Sequence, residues 1–213
     1  AIAPDLRARA AALQQVFAGA GRPVLVAAST HEGEERMILG AYRELRQALG
    51  DFLLVLVPRH PECFDAVFAL CRQQGWAVLR RSVGADPSAA DDILLGDTMG
   101  ELLLLLGTAT IAVFGGSLVA RGGHNVLEAA AWGVPVISGP HMENFGDICE
   151  QLCAAGGMRQ LQDPAELAPC LLQLVRDPEL CRRMGAAGME VVARNRGASA
   201  RLLDLLARQL TGD

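Results

Sequence analysis

The sequence predicts an α/β protein: a doubly wound, mainly parallel sheet with helices on both faces. Short β-prone runs alternate with segments of helical spacing, several runs are apolar throughout, and polar glycine-bearing loops follow the strands. A strand with no polar side is covered on both sides. Strand, helix, strand in succession gives right-handed crossovers and hence a parallel sheet. With 213 residues, 51% of them apolar, the chain has material for one sizeable core.

Residues 1–20 read as an amphipathic helix through Leu6, Leu13, Val16 and Phe17. Strands are expected at Val24–Ala28, Phe52–Val57, Trp76–Leu79, Asp92–Leu95, Thr110–Phe114 and Val134–Ser138. Between most of them lie helices at Glu34–Leu49, Glu62–Gln74, Met99–Leu106 and Asn125–Trp132. After Ser138 helical spacing dominates, at Phe145–Ala154, Pro164–Val175, Pro178–Ala193 and Ala198–Leu210. Asp163 and Asp177 each precede a proline, which is a capping residue followed by the favoured first helical residue. There is no repeat, low-complexity segment or internal linker, so residues 1–213 read as one domain.

Composition excludes several classes. A net charge of −5 with no basic run argues against nucleic acid as a partner. The apolar stretches 102–106 and 109–114 are broken by Gly107, Thr108 and the Gly115-Gly116 pair, short of the roughly 20 residues a membrane span needs. Six cysteines include no C-x-x-C pair, nothing at the N-terminus resembles a signal peptide, and Cys149/Cys153 have the spacing of a core-facing helical stripe.

In open α/β sheets ligands bind beyond the carboxyl ends of the strands, where strand order reverses. The loops there are Ser29-Thr30-His31-Glu32-Gly33-Glu34-Glu35, Pro58-Arg59-His60-Pro61, Gly96-Asp97-Thr98-Met99-Gly100-Glu101, Gly115 to Asn125, and Gly139 to Phe145. All four histidines, His31, His60, His124 and His141, fall in them. Glu32, Glu34 and Glu35, taken alone, are better explained by a helix start, where negative charge is favoured, than by a ligand. Gly115, Gly116, Gly122 and Gly123 with Ser117 and Asn125, just before a helix, read as an anion cradle. The pattern is neither a nucleoside-triphosphate P-loop nor an ordered G-x-G-x-x-G. Glu128, about one turn into that helix, is placed to accept hydrogen bonds from a ribose diol.

Taken together, these loops resemble the C-terminal domain of 3-deoxy-D-manno-octulosonic acid (Kdo) transferases, enzymes of the GT-B architecture with two Rossmann-like domains. The matching pieces run in order through most of the chain, with Ala120, Val126 and Ala129 standing where the family often has proline. The resemblance implies transfer of Kdo from CMP-Kdo to lipid A precursor in lipopolysaccharide synthesis. It implies no cofactor or metal, and a membrane-associated full-length protein at the cytoplasmic face of the bacterial inner membrane. The family's N-terminal acceptor domain, anchor and catalytic-base glutamate have no counterpart in these residues, so the chain alone is expected to be soluble and inactive.

By the same resemblance Arg59 meets the CMP phosphate and stabilises it as it leaves, with His60 beside it. Met99 and Gly100 flank the cytosine, while Gly116, Ser117 and Asn125 cradle the phosphate and Glu128 holds the ribose. Ser29, Thr30, His31 and Glu34 face the cleft near the sugar. Three other readings stay open: a UDP-dependent transferase or epimerase of the same architecture, a non-catalytic nucleotide-binding module, and a metalloprotein using the four histidines.

Overall fold

The computed structural model describes residues 2–19 and 21–211. Ala1 and Ala20, the ends of the expected first helix, lie outside the described residues, as do the side chains of Ala18 and 197–211.

Seven strands form one sheet, all pairs parallel: β1 (Val24–Thr30), β2 (Leu53–Pro58), β3 (Val78–Arg80), β4 (Ile93–Leu95), β5 (Ile111–Phe114), β6 (Val136–Ser138) and β7 (Met158–Gln160). The order across the sheet is β3-β4-β2-β1-β5-β6-β7, so strand order reverses between β1 and β5. The first six strands match the sequence expectation within two residues at each end; β7 does not appear in it.

Alternate residues of each strand enter opposite cores. Leu25, Ala27, Leu54, Leu56 and Val113 pack with α2 (Glu34–Leu49), α3 (Phe64–Gln73) and α7 (Leu167–Arg176). Val24, Val26, Leu53, Val55 and Phe114 pack with α1 (Pro4–Ala18), α4 (Leu102–Leu106), α5 (Leu127–Ala130) and α6 (Gly146–Ala155). Full burial of each such side chain is worth about 1.5–3 kcal/mol, and the doubled burial explains why the strands read as continuously apolar. On α1 Ala10 and Phe17 are buried and Leu13 packs against the core, as expected, whereas Val16, expected on that face, is 40% exposed. Of the cysteine pair on α6, Cys149 is buried and Cys153 packs against the same core.

Two helices expected after Pro178 are one, α8 (Pro178–Thr211). Gly197 costs a helix interior only about 1 kcal/mol, and Asn195 donates its side-chain amide to Val191 O four residues back. The two capping aspartates behave as read: Asp163 accepts from Ala165 N and Asp177 from Leu180 N, both at 2.8 Å. α8 lies against α5 through glycine. A Cβ on Gly185 would run into the Gly133 carbonyl, and one on Gly188 would stand 3.3 Å from Ala130 Cβ.

The reversal point is locked by one carboxylate. Glu34, fully buried at the start of α2, accepts from Gly116 N (2.7 Å) and His31 N (2.9 Å) on Oε2. Its Oε1 accepts from Ser117 N, Leu118 N and Val119 N at 3.1, 2.8 and 3.3 Å. This ties the loop after β1 to the loop after β5. The close approach requires glycine at 115, where a Cβ would overlap Ser29 O and stand 2.6 Å from Thr30 Cα. Beside it, Ser29 adopts φ 55 in a bulge: Ala28 pairs with Val57 and Thr30 with Pro58, leaving Ser29 between them.

Because Glu34→Ala leaves four loop amides and His31 N without their acceptor, it should destabilise the fold by at least about 3 kcal/mol. Glu34→Gln, which keeps one acceptor oxygen, should fall between the two. Urea denaturation checks this, and an unchanged midpoint in the alanine variant would show that the loops are held by something else.

Candidate functional site

A cleft of about 300 Å³ opens where strand order reverses, between the loops after β1, β2, β4 and β5. Its polar lining is Ser29, Arg59, Thr98, His124, Asn125 and Glu128, and Val57, Phe64, Met99, Leu102, Phe114 and Phe145 form its apolar walls. That mixture, a few convergent polar groups on an apolar surface, suits a small organic anion.

The turn after β4 is rigid because its two acids are spent within the protein. Burial works to raise the Asp97 carboxyl, but hydrogen bonds from Ser82 and Arg80 hold it below the usual carboxylate range. Its Oδ2 accepts from Arg80 Nε and Ser82 Oγ, each at 2.6 Å. Glu101, lowered chiefly by its hydrogen bond from Arg81, also accepts from Thr98 Oγ1 at 2.5 Å. Between them stand Met99, 66% exposed, and Gly100, whose φ of 80 makes the turn. An exposed thioether over a turn without side chain offers a flat, apolar shelf to an aromatic ring.

Positive charge lines the same cleft. The loop after β2 is pinned by a hydrogen bond from Arg59 N to Thr30 O (2.9 Å), while the exposed Arg59 guanidinium has no carboxylate partner among the described residues. Arg80 and Arg81, in contrast, are tied up by Asp65, Asp97 and Glu101. Three histidines gather here. His31 Nε2 and His124 Nε2 are 2.8 Å apart with ring planes 3° apart, and His60 meets His31 edge-on at 5.4 Å between centroids. Burial, then the positive neighbours His31, Arg59 and His60, push His124 down to about 4. Burial also lowers His31, with Glu34 opposing and His60, Arg121 and Arg59 reinforcing. Arg121, exposed on the loop after β5, is a cation that the sequence reading passed over.

The fourth histidine does not join them: His141 sits 3.4 Å from Glu143 through Nδ1. Among the described residues no group of three or more histidine, cysteine or acidic side chains is arranged to hold a metal ion.

Four assignments change. The Gly116 and Ser117 amides, read as an anion cradle, are already bound to Glu34, and the Ser117 hydroxyl donates to Phe114 O while accepting from Gly139 N. Glu34 itself points into the protein instead of the cleft. Thr30 is buried, its hydroxyl donated to Glu35 Oε1 at 2.8 Å, because the bulge at Ser29 turns it inward. What remains facing the cleft from the glycine loop is its far end. Asn125 is exposed there and its Oδ1 accepts from Leu127 N at the start of the four-residue α5. Burial raises the carboxyl of half-buried Glu128, partly offset by a hydrogen bond from Asn125.

No family model matches the chain. Among curated proteins it is similar to the 3-deoxy-D-manno-octulosonic acid transferase of Haemophilus influenzae, 44% identical over 186 residues, and to that of Bordetella pertussis, 41% identical over 195. These matches cover 87% and 89% of the chain but only 44% and 46% of the relatives, so the chain spans about half their length. Among solved structures it is similar to the C-terminal CMP-Kdo binding domain of WaaA from Acinetobacter baumannii. The TM-score is 0.83 at 33% identity, covering 88% of this chain and 98% of that one. The C-terminal domain of LpcC from Francisella tularensis, at TM-score 0.56 and 13% identity, shares the fold alone, the Rossmann-like half of a GT-B glycosyltransferase. The chain thus belongs to the Kdo transferase family and corresponds to its C-terminal domain.

Proposed function

We propose that this chain binds CMP-Kdo and forms the donor half of a glycosyltransferase that moves Kdo onto lipid A precursor in lipopolysaccharide synthesis. One observation carries the reading. A single cleft gathers an unpaired guanidinium (Arg59), an apolar shelf (Met99 over Gly100) and a half-buried carboxylate (Glu128). Phosphate, base and ribose diol each require one of these. The names of the similar A. baumannii domain and of the curated relatives support the same donor.

In this reading Arg59 takes the phosphate, with His60 and His31 beside it. Met99 and Gly100 receive the cytosine. Glu128 accepts from the ribose hydroxyls, and Asn125 orients Glu128 from the loop. Ser29 lies at the sugar end. The Gly116–Val119 segment acts one step removed, by fixing the loop that carries His124 and Asn125. As the sugar departs through an oxocarbenium-like state, negative charge grows on the phosphate, and a fixed guanidinium in a partly dry cleft stabilises it without reorganising. The base and the acceptor site come from the N-terminal half of such an enzyme. Its lipid acceptor places the whole protein at the cytoplasmic face of the inner membrane; among the described residues no helix is long and apolar enough to cross a membrane.

The deciding experiment is titration with CMP and UMP by calorimetry. CMP should bind more tightly, and equal or reversed affinities would favour a uridine-dependent enzyme. Arg59→Ala should weaken CMP by about ten- to a hundredfold, the worth of one charge-assisted hydrogen bond, and leave cytidine almost unaffected. Equal losses for the two ligands would remove Arg59 from the phosphate. Glu128→Ala should lower CMP affinity by a similar factor at nearly constant melting temperature; a large fall in melting temperature with affinity intact would make Glu128 a packing residue.

A further inference from the structure

We propose that His31 and His124 act as one unit that takes up a single proton when the donor's phosphate binds, so that anion recognition at this cleft is proton-linked. The proposal rests on the donor-site reading above.

The stoichiometry comes from geometry. With Nε2 facing Nε2 at 2.8 Å and the rings nearly coplanar, one hydrogen lies between them, donated by one ring and accepted by the other. Each neutral ring carries one N–H, so the acceptor ring holds its own on Nδ1 and the donor ring has a bare Nδ1. A proton added to that bare nitrogen makes an imidazolium that still donates across the bridge. A second would set two N–H groups against each other, so the pair stores one positive charge and no more.

Both rings are held in place. His31 follows the bulge and its amide is bound to Glu34, whereas His124 lies over Gly116, where a Cβ would stand 3.1 Å from the ring. Neither Nδ1 has a hydrogen-bond partner among the described residues. The groups around the pair are Arg59 and His60 on the β2 loop, Arg121 on the β5 loop, Glu34 at the start of α2 and Glu128 on α5. Glu34 has both oxygens committed to amides. Burial, reinforced by the charges of Arg59 and Arg121 and opposed by Glu34, therefore weighs against a further proton on the pair. A bound phosphate reverses that balance, and the added proton supplies a second cation where leaving-group charge develops.

The probe is cytidine 5′-(methyl phosphate), a diester with one negative charge, because the second ionisation of a monoester near pH 6 would itself exchange protons. Calorimetry at about pH 7.5 in two buffers of different ionisation enthalpy should give uptake of roughly one proton per ligand bound, and none for cytidine. His31→Gln and His124→Gln should each still bind the diester, more weakly, with the uptake gone; His60→Gln should keep it. Zero uptake on wild-type binding overturns the proposal. So does uptake that survives both substitutions, or that is lost only with His60. If either variant fails to fold, the wild-type pH profile decides. Affinity for the diester should fall by up to about tenfold per unit between about pH 6 and pH 8, and a flat profile overturns the proposal. Failure of CMP and the diester to bind at all would instead overturn the donor-site reading.

Discussion

One buried carboxylate determines what the rest of the site can be. Glu34 gathers five backbone amides from two loops that belong to different halves of the sheet. Without it, those amides would be stranded where little water reaches, at about 1–3 kcal/mol for each one left unsatisfied. Its presence fixes the separation of β1 and β5 at their carboxyl ends and sets the path of the glycine segment. The cost is chemical: amides bound to a protein carboxylate are not free for a ligand. Anion recognition is therefore left to side chains.

Those side chains are kept available in two ways. Two arginines near the sheet edge are neutralised, Arg80 by Asp65 and Asp97 and Arg81 by Glu101, whereas Arg59 and Arg121 have no carboxylate partner among the described residues. His31 and His124 add little to the repulsion, since burial first and neighbouring cations second disfavour their charged forms. Arg59, Arg121 and the three imidazoles can thus stand near one another without large electrostatic cost.

Much of the fold was legible because a doubly covered sheet leaves unbroken apolar runs such as Leu53–Val57, and the strand ends locate the ligand loops. β7 was not legible: Met158-Arg159-Gln160 has one apolar residue and only one neighbouring strand, so it lacks the signal that marks central strands. In the cleft, the loops read from the sequence bring Arg59, Met99, Gly100, Asn125 and Glu128 to one lining. Glu34, Thr30, Gly116 and Ser117 were given to the ligand because their residue types suit an anion site equally well when the anion is internal. Spacing does not distinguish a carboxylate of the protein from a phosphate of a substrate. The bulge at Ser29 has the same opacity, since a serine with positive φ carries no compositional mark. His141 shared the right edge of the sheet, but Glu143 two residues on engages it instead.

The glycine contacts of α8 have a mechanical side. Gly185 and Gly188 bring its backbone against Gly133 and Ala130, and Ala130 lies two residues from Glu128 on the one-turn α5. Met189 of α8 also reaches Gly133, where a Cβ would stand 3.2 Å from its Sδ and Cε, so backbone and side chain of α8 both bear on the turn after α5. At about 1.5 Å per residue, the 34 residues of α8 make a rod roughly 50 Å long, seated through its first half, where Val191 packs in the core and Asn195 bonds Gln151 of α6. A load applied beyond residue 195 acts on a long arm about that seat, and part of the seat is the helix that carries Glu128.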